Sequence, residues 1–500
     1  MSEPADSTVD AQHVARRTRR GISWNLLGAA STNAMRVAAI AVLGRMVTSE
    51  AFGVVAAAVS VNVILYSIRD VGVGQALIQR KQLEPAHLTT AFAVSLYLGI
   101  ALALVLLVTA PLIARLYHIP ESVDVIRALG SLFALRGVSA TSRMVCQREL
   151  RFRAIAIIDA ISFAVGTLAS IGFAIANFGP WALVIGYVVE EALSTAMYLW
   201  TSPPRWALAI HRARFRELMT FGAGQTVAQI AGILATYGDN FVVGNVLHAQ
   251  ALGFYTRAYE WIKFPSTVFA SVVGNVLFPA FSRLQDQKAQ LAMSLRRVTF
   301  VNALVLLPAS AALIVVAPEA IRVLVGPGWD AAVLPFRILA VTMLFRTNQK
   351  LGALVAQAAG AVNAVAVAFV AYMVLVIGGA VISINWGIAG VAFTTSIAIV
   401  VVCSWCMYLA MQVSELPLAA VLGAHLPGAG LALLVTGVAW PLAMFLRPVT
   451  ASAPLIFALV ALASMVACVA ALAWLIHRGR GDFGWLADEL RNLRRRKSKR

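Results

Sequence analysis

Apolar residues in this chain come in long runs rather than in alternation. From residue 22 onward, apolar stretches of about twenty residues follow one another, each closed by a short polar or glycine-rich break. A helix of about twenty residues, rising 1.5 Å per residue, spans the ~30 Å hydrocarbon core of a bilayer and satisfies its own backbone there. The pattern predicts an all-α integral membrane protein of fourteen transmembrane helices, over 22–46, 52–79, 88–114, 122–145, 154–176, 180–201, 216–243, 252–280, 298–317, 331–350, 360–382, 387–411, 418–446 and 453–476. The fourth and tenth are the least clear, because each carries several charges. No connection between the spans is long enough to fold as a catalytic domain.

Composition agrees with the pattern. The chain is 60% apolar and only 12% charged, where soluble domains carry about 25% charged residues; its mean hydropathy is +0.82. The first twenty residues are polar and then basic, with no apolar core of the kind a secretory signal needs. A formal net charge of +18 asks for an explanation, and the placement of the basic residues gives one. The N-terminal tail, the even-numbered connections with the span ends beside them (Arg143, Arg216, Arg346 and Lys350) and the C-terminal tail hold 29 of the 40 lysines and arginines, whereas the opposite connections hold only Arg115, Arg322 and Arg447. This asymmetry predicts both termini in the cytoplasm and accounts for the charge without nucleic acid. The last segment, "GDFGWLADELRNLRRRKSKR", reads either as an amphipathic helix with a basic end lying on anionic lipid or as a solvated tail. "CSWC" (Cys403–Cys406) lies inside an apolar run, without the strand–helix context of a redox motif, and reads as packing.

A repeat organises the spans. "GRMVTSEAFG" (Gly44–Gly53) and "GNVLHAQALG" (Gly244–Gly253) match at an offset of 200, as do Ala58 with Ala258 and Gly74 with Gly274. "NFGPWALVIGY" (Asn177–Tyr187) parallels "NWGIAGVAFTT" (Asn385–Thr395) at an offset of 208. These pairs predict two parallel six-helix repeats, related by an axis along the membrane normal, an arrangement found in transporters. The expected organisation is a basic N-tail (1–21), a first lobe (22–202), a basic linker (203–215), a second lobe (216–412), two further helices (413–477) and a basic C-tail (478–500).

Eight basic residues remain inside spans: Arg36, Arg45, Arg69, Arg127, Arg136, Arg257, Lys263 and Arg337. Each charge in hydrocarbon costs about 2.5–3.5 kcal/mol on insertion scales, so residues of this kind face water, pair or snorkel. Arg36 lies about 21 Å beyond the start of the first span, too deep to snorkel easily; Arg45 and Arg127 sit near outer ends. The sharper reading is a cationic cavity for an anionic headgroup, lined by Arg36, Arg69, Arg136, Arg257, Lys263 and Arg337, since arginine forks match phosphate oxygens. The plainer reading is a set of local ion pairs. Asp70, Asp239 and Glu260 are candidates for a coupling proton or Na⁺, or they balance neighbouring arginines. Tyr255, Tyr259 and Trp261 are candidates for stacking on sugars, or they belong to an interfacial aromatic belt. No catalytic residue, metal site or cofactor is expected.

Several segments resemble one known family: "DVGVGQALIQR" (Asp70–Arg80), "QRELRFRAIAIID" (Gln147–Asp159), "GDNFVVGNVLHAQALGFYTRAYE" (Gly238–Glu260), "LFPAFSRLQ" (Leu277–Gln285) and "VGPGWDAAVLPFRILA" (Val325–Ala340). They are similar to the polysaccharide transporter family, the Wzx-like oligosaccharide flippases of the multidrug/oligosaccharidyl-lipid/polysaccharide (MOP) superfamily, and within it to colanic-acid-type exporters. The resemblance implies a two-lobed, V-shaped bundle with the last two helices peripheral. It implies that an undecaprenyl-pyrophosphate-linked oligosaccharide repeat unit is flipped across the inner membrane by alternating access, for exopolysaccharide, capsule or lipopolysaccharide O-antigen. The partners it implies are that lipid-linked oligosaccharide, membrane lipids, and a polymerase and chain-length regulator of the same pathway. A drug/cation antiporter of the same superfamily is the alternative, and a membrane polysaccharide polymerase a weaker one. The excess of basic over acidic residues within the spans favours an anionic substrate.

Overall fold

The structure is a computed structural model that describes residues 38–69, 84–149, 151–204, 208–211, 223–272, 284–479 and 482–498, together with 32, 35, 36, 277, 281 and 282. Every regular element among the described residues is helical. In chain order, a helical run over 38–46 is followed by α1 (Ser49–Arg69), α2 (Pro85–Leu116), α3 (Ser122–Arg148), α4 (Phe152–Ile175), α5 (Pro180–Thr201) and α6 (Ala223–Val272). Then come α7 (Lys288–Val315), α8 (Ala317–Leu324), α9 (Val333–Ala340), α10 (Met343–Ala358), α11 (Val362–Ser383), α12 (Gly387–Ser414), α13 (Leu418–Val449), α14 (Ala453–Arg478) and α15 (Asp482–Ser498). Among the described residues, nine stretches are long and apolar enough to cross a membrane, one of them running from Val362 to Ser414 through α11 and α12. Their outer faces are apolar, with Leu433 75% and Val108 76% exposed, as a helix surface in contact with lipid requires.

The tenth predicted helix is corrected. A span expected over 331–350 is two helices, α9 and α10, and α10 runs on to Ala358. Arg346 and Lys350, counted above with the inner connections, therefore lie within a packed helix. Its first half is too polar, and its second half too short, for either to register as an apolar run.

The ten-residue repeats are far tighter than loops. The chain leaves helical geometry only at Val47–Thr48 in the first copy, and at His248 (φ 63°, ψ −174°) inside α6 in the second. The Thr48 hydroxyl caps the new helix by accepting the Ala51 N–H at 3.2 Å. The other repeated pair has matching backbones as well. Gly179 (φ 55°, ψ −128°) precedes α5 and Gly387 (φ 68°, ψ −164°) opens α12, 208 residues apart, both in a region that residues with a Cβ avoid.

The chain packs as two compact units, Met1–Arg257 with Ala366–Thr395, and Ala258–Val365 with Ser396–Arg500. The division falls at Arg257, within the eighth predicted span; most of the 203–215 linker lies outside the described residues.

Small residues hold the first unit together. A Cβ on Gly166 would stand 2.7 Å from the Gly186 carbonyl oxygen, and one on Gly186 would stand 2.8 Å from that of Gly166, so α4 and α5 approach backbone to backbone. The two copies of the repeat meet in the same way. A Cβ on Gly53 would collide with the Ala249 carbonyl oxygen, and one on Gly253 with that of Ser49. Residues 49 and 53 thus meet 253 and 249, a reciprocal contact at the same offset of 200. Beside it, the His118 ring Nδ1 lies 3.0 Å from the Asn245 carbonyl oxygen, and the Asn245 amide donates to the Leu116 carbonyl.

In the second unit, α13 lies along α7 with Gly428 against the Ala303 backbone, and Gly352 of α10 meets the Cys406 backbone of α12. Cys403 and Cys406 are free and buried, and Cys403 sits in a core with Leu351, Leu354 and Met407. At one end, Arg447 clamps Glu319 of α8 through two hydrogen bonds of 2.8 and 3.1 Å and also donates to the Val315 carbonyl at 3.0 Å. Burial pushes the Glu319 carboxyl up, but hydrogen bonds from Arg447 and from the backbone, with the charges of Arg447 and Arg337, outweigh it and hold the group below its ordinary value.

Candidate functional site

Within the first unit, buried polar chemistry centres on Asp239. This carboxylate is fully buried in α6. It accepts the Tyr255 hydroxyl at 2.6 Å and the Asn240 backbone N–H at 2.9 Å. The Tyr255 oxygen also lies 3.4 Å from the Thr395 hydroxyl, and the Asn240 side chain donates to Ser60 of α1 at 2.9 Å. Among the described residues, the Asn240 and Asn62 side-chain oxygens are buried with no donor. Asp239 and Tyr255 are sixteen positions apart, on either side of the break at His248, which folds the second half of α6 back toward the first. Tyr255 is wholly buried and its hydroxyl is committed to Asp239.

The cations predicted in this unit do not gather. Arg136 of α3 is paired with Glu191 of α5, and its guanidinium lies 4.0 Å over the Tyr66 ring. Two turns further along α3, Arg143 reaches Asp159 at 3.3 Å, and the same carboxylate accepts the Tyr198 hydroxyl at 3.0 Å. Arg36 is exposed, with its guanidinium 5.6 Å from the Phe163 ring. Arg257 lies 4.5 Å over Phe52, the residue next to the Gly53 contact. Arg69 closes α1, but its side chain, like all of Asp70, lies outside the described residues.

The second unit gathers its cations on one ring. Tyr259, only 2% exposed, has the Lys263 ammonium 4.3 Å from its ring centroid and the Arg346 guanidinium 4.4 Å from it, and its hydroxyl accepts from Arg346. Lys350, one turn after Arg346, donates to the Ser266 carbonyl at 2.9 Å. Two cations less than about 9 Å apart repel by about 2 kcal/mol at an effective dielectric of 20. A dianionic ligand between them would replace that repulsion by attraction, and the ring quadrupole offsets part of it.

Behind the cations stands a polar support. Arg346, Thr347, Asn348 and Gln349 are consecutive and all buried. Asn348 accepts from the Asn302 amide at 3.1 Å and lies 3.0 Å from the His425 Nε2, while the His425 Nδ1 is 2.7 Å from the Val421 carbonyl. The carbonyl can only accept, so Nδ1 carries the proton and Nε2 accepts from Asn348. Glu260 is exposed. The Trp261 indole N–H is buried with no acceptor among the described residues. Arg337 donates to the Ile314 carbonyl at 3.2 Å, away from Tyr259 in its bonding.

Of the six predicted headgroup cations, then, the structure brings Lys263 together with Arg346 and Lys350, which the sequence reading left out. The signal was the run "RTNQK" (Arg346–Lys350). Taken alone it looks like a loop, but the apolar stretch after it keeps the helix going. Asn240, Ser60, Asn302, Asn348 and His425 were missed because single amides and hydroxyls inside apolar spans carry no period.

Comparison with known proteins places this geometry. The family model for a polysaccharide biosynthesis protein matches residues 42–334. The lipopolysaccharide biosynthesis protein WzxC of Escherichia coli is 24% identical over 66% of this chain and 68% of its own length. The succinoglycan biosynthesis transport protein ExoT of Rhizobium meliloti is 27% identical over 64% of each chain. Among solved structures, the lipid II flippase MurJ in its inward closed conformation superimposes with a TM-score of 0.73, covering 89% of this chain and 97% of its own, at 14% identity. A multidrug resistance MATE family transporter of the MOP superfamily in its inward-facing conformation gives a TM-score of 0.57, covering 78% of this chain and 94% of its own. The fold is that of the MOP superfamily.

Proposed function

Since the chain belongs to the polysaccharide biosynthesis protein family, we propose that it flips a lipid-linked oligosaccharide repeat unit, carried on undecaprenyl pyrophosphate, from the inner to the outer leaflet of a bacterial inner membrane. The observation that carries this reading is the pair of cations, Lys263 and Arg346, on the buried Tyr259 ring, with Lys350 one turn after Arg346, set in a fold shared with MurJ, a protein named for flipping lipid II. A sugar headgroup cannot enter hydrocarbon without losing its water partners. A polar path fitted with fixed cations lets the headgroup cross while the lipid tail stays in the bilayer. The pyrophosphate is the part every such substrate shares, and it is the part that cations recognise. Lys263, Arg346 and Lys350 hold it, while Arg36, Arg69, Arg257 and Arg337 remain the sequence's further candidates for it; Arg136, paired with Glu191, serves the first unit's own packing. Tyr259 and Trp261 are the aromatic groups nearest the sugar.

Asp239 is the coupling residue in this reading. It is a buried carboxylate that accepts the Tyr255 hydroxyl and the Asn240 backbone N–H, and an ionisable group buried inside a span is a candidate to bind a proton or Na⁺. Asp70 and Glu260 are secondary candidates. The chain forms fourteen spans in two parallel repeats that act as lobes, helices of 22–202 against those of 216–412, with both termini cytoplasmic. The reciprocal Gly53–Ala249 and Gly253–Ser49 contacts and the matching backbones of Gly179 and Gly387 support that symmetry. The product passes to a polymerase and chain-length regulator. The chain acts as a transporter, with no bond made or broken.

Deleting the gene and tracing lipid-linked repeat units tests the function. They are expected to accumulate on the cytoplasmic leaflet while surface polymer is lost; polymer made at the normal level would refute it. The buried acid Asp239 and the likeness to MATE transporters favour a second reading, a drug/cation antiporter, which instead predicts raised sensitivity to cationic dyes in the deletion strain and no change in polymer.

A further inference from the structure

The C-terminal helix α15 is built in two halves of opposite character. Its first half is docked. Asp482 pairs with Arg296 of α7 at 2.7 Å, Phe483 packs edge-on to Phe300 with centroids 5.3 Å apart, and Arg297 lies 4.7 Å over the Trp485 ring. Phe483 and Leu486 join a core with Phe300, Leu304, Leu475 and Ile476. The chain reaches this site from α14 through Gly479, whose φ of 60° ends that helix. A Cβ on Gly484 would stand 2.8 Å from the Gly479 carbonyl oxygen, so the turn is packed closely.

The second half is cationic. From Arg491 to Arg500 the sequence carries seven lysines and arginines and no acid, and the helix continues as far as Ser498. Asp488, Glu489 and Arg491 are exposed, and Ala487 is the last buried residue of the helix among the described side chains. The apolar spacing does not stop there: Phe483, Leu486, Leu490 and Leu493 fall at intervals of three and four, the period of one helix face. At the end of α14 next to this helix, Arg478 stacks 3.8 Å over the ring of Trp474, which is 53% exposed. Tryptophan and arginine together mark the level of lipid headgroups.

We propose that the second half of α15 lies on the anionic headgroups of the leaflet that α14 leaves, and that this contact tightens the docked half on α7. Charge complementarity, an apolar spacing that continues into the cationic half, and a tryptophan–arginine anchor at the point of departure all favour a lipid surface over an acidic protein. The contact reaches the substrate site. α7 carries Arg296, Arg297 and Phe300 at the dock, and two residues further on Asn302, which donates to Asn348 in the run that positions Arg346. The tail is a lipid-responsive brace for the cation group, a role that rests on the transport reading only for its consequence.

The test uses the purified full-length protein in nanodiscs of phosphatidylcholine alone or with one quarter phosphatidylglycerol, and needs no transport substrate. The wild type is expected to show a higher melting temperature and slower hydrogen exchange over 288–304 when phosphatidylglycerol is present, with the difference abolished in 0.5 M salt. The variant R494Q/R495Q/R496Q/K497Q is expected to match the wild type in phosphatidylcholine and to lose the phosphatidylglycerol effect. F483A is expected to lose the exchange protection in both lipids. A wild type indifferent to phosphatidylglycerol, or a quadruple variant that responds as the wild type does, would overturn the proposal. Binding of an acidic protein by a wild type indifferent to lipid would assign the tail to that partner instead.

Discussion

Tyr259 shows how one buried ring can hold two like charges side by side in a protein. Two cations stacked on one buried ring are tolerated because the ring faces attract them and the hydroxyl takes a hydrogen bond, yet the cations still repel each other. Removing one should relieve the protein and disable the transporter. Lys263→Ala is expected to leave the amount of protein in the membrane unchanged or raised, and to lower flipping of lipid-linked oligosaccharide in proteoliposomes about tenfold, the equivalent of about 1.4 kcal/mol. Arg346→Lys keeps the charge but loses the planar fork, and a loss of similar size is expected. Tyr255 makes the opposite case. Tyr255→Phe removes a donor from the buried Asp239 carboxylate, and a buried acceptor left short of a partner costs about 1–3 kcal/mol; thermal unfolding in detergent is expected to register it. The sequence made Asp239, Tyr255, Tyr259 and Lys263 visible because each is unusual inside an apolar run. It hid Arg346 and Lys350, since a short polar run beside a break in hydrophobicity is what a loop also looks like. Arg136 was legible as a charge at depth, but its partner Glu191, 55 residues away on another helix, was not.

Helices and turns were legible where period and length carry the information, and the repeat was the most informative feature of all. An offset of 200 between two glycine-bounded turns became a reciprocal contact in space, each glycine facing the carbonyl of the other copy. The reciprocal contact makes a sharp prediction: Gly53→Ala and Gly253→Ala are expected to lower the melting temperature by similar amounts, because each drives a methyl into a backbone carbonyl oxygen. Strongly unequal losses would show that the two contacts are not equivalent. The helix at 331–350 was misread for a physical reason, since α9 and α10 are held by tertiary burial and not by an apolar run of their own. At the end of α8 the Glu319–Arg447 clamp gives a pH test. Because the folded carboxyl sits below its ordinary value, its contribution to stability is present above the unfolded value and is lost as pH falls through the folded one. In Arg447→Gln, burial is left to push Glu319 up, so the variant is expected to be less stable than the wild type near neutral pH, with the difference shrinking as pH falls because protonating Glu319 no longer costs stability. An unchanged acid limb would mean that Arg447 does not hold the carboxylate.

A fold of this kind places two charges of opposite sign in separate units, a buried carboxylate in one and a cation group in the other, and the energetics of transport separate their roles. A pyrophosphate headgroup carries about two negative charges, and an inside-negative potential of 100 mV favours outward movement of each charge by about 2.3 kcal/mol. The potential therefore acts on the substrate itself, whatever Asp239 does. A proton or Na⁺ gradient has no such direct hold on the sugar lipid and can act only through a residue that binds the ion. The two driving forces should come apart in one variant. In proteoliposomes, wild-type flipping is expected to accelerate with an imposed inside-negative potential and, separately, with an inward gradient of the coupling ion. Asp239→Asn keeps the shape of the side chain and removes its charge; it is expected to abolish the response to the ion gradient and to retain the response to potential. Lys263→Ala is expected to weaken both, since it acts on the shared step of holding the headgroup. If Asp239→Asn still responds to the ion gradient, coupling lies elsewhere in the chain. If the wild type ignores both H⁺ and Na⁺ gradients, the substrate's own charge drives its passage, and the buried carboxylate serves only to hold Tyr255 and Asn240 in place.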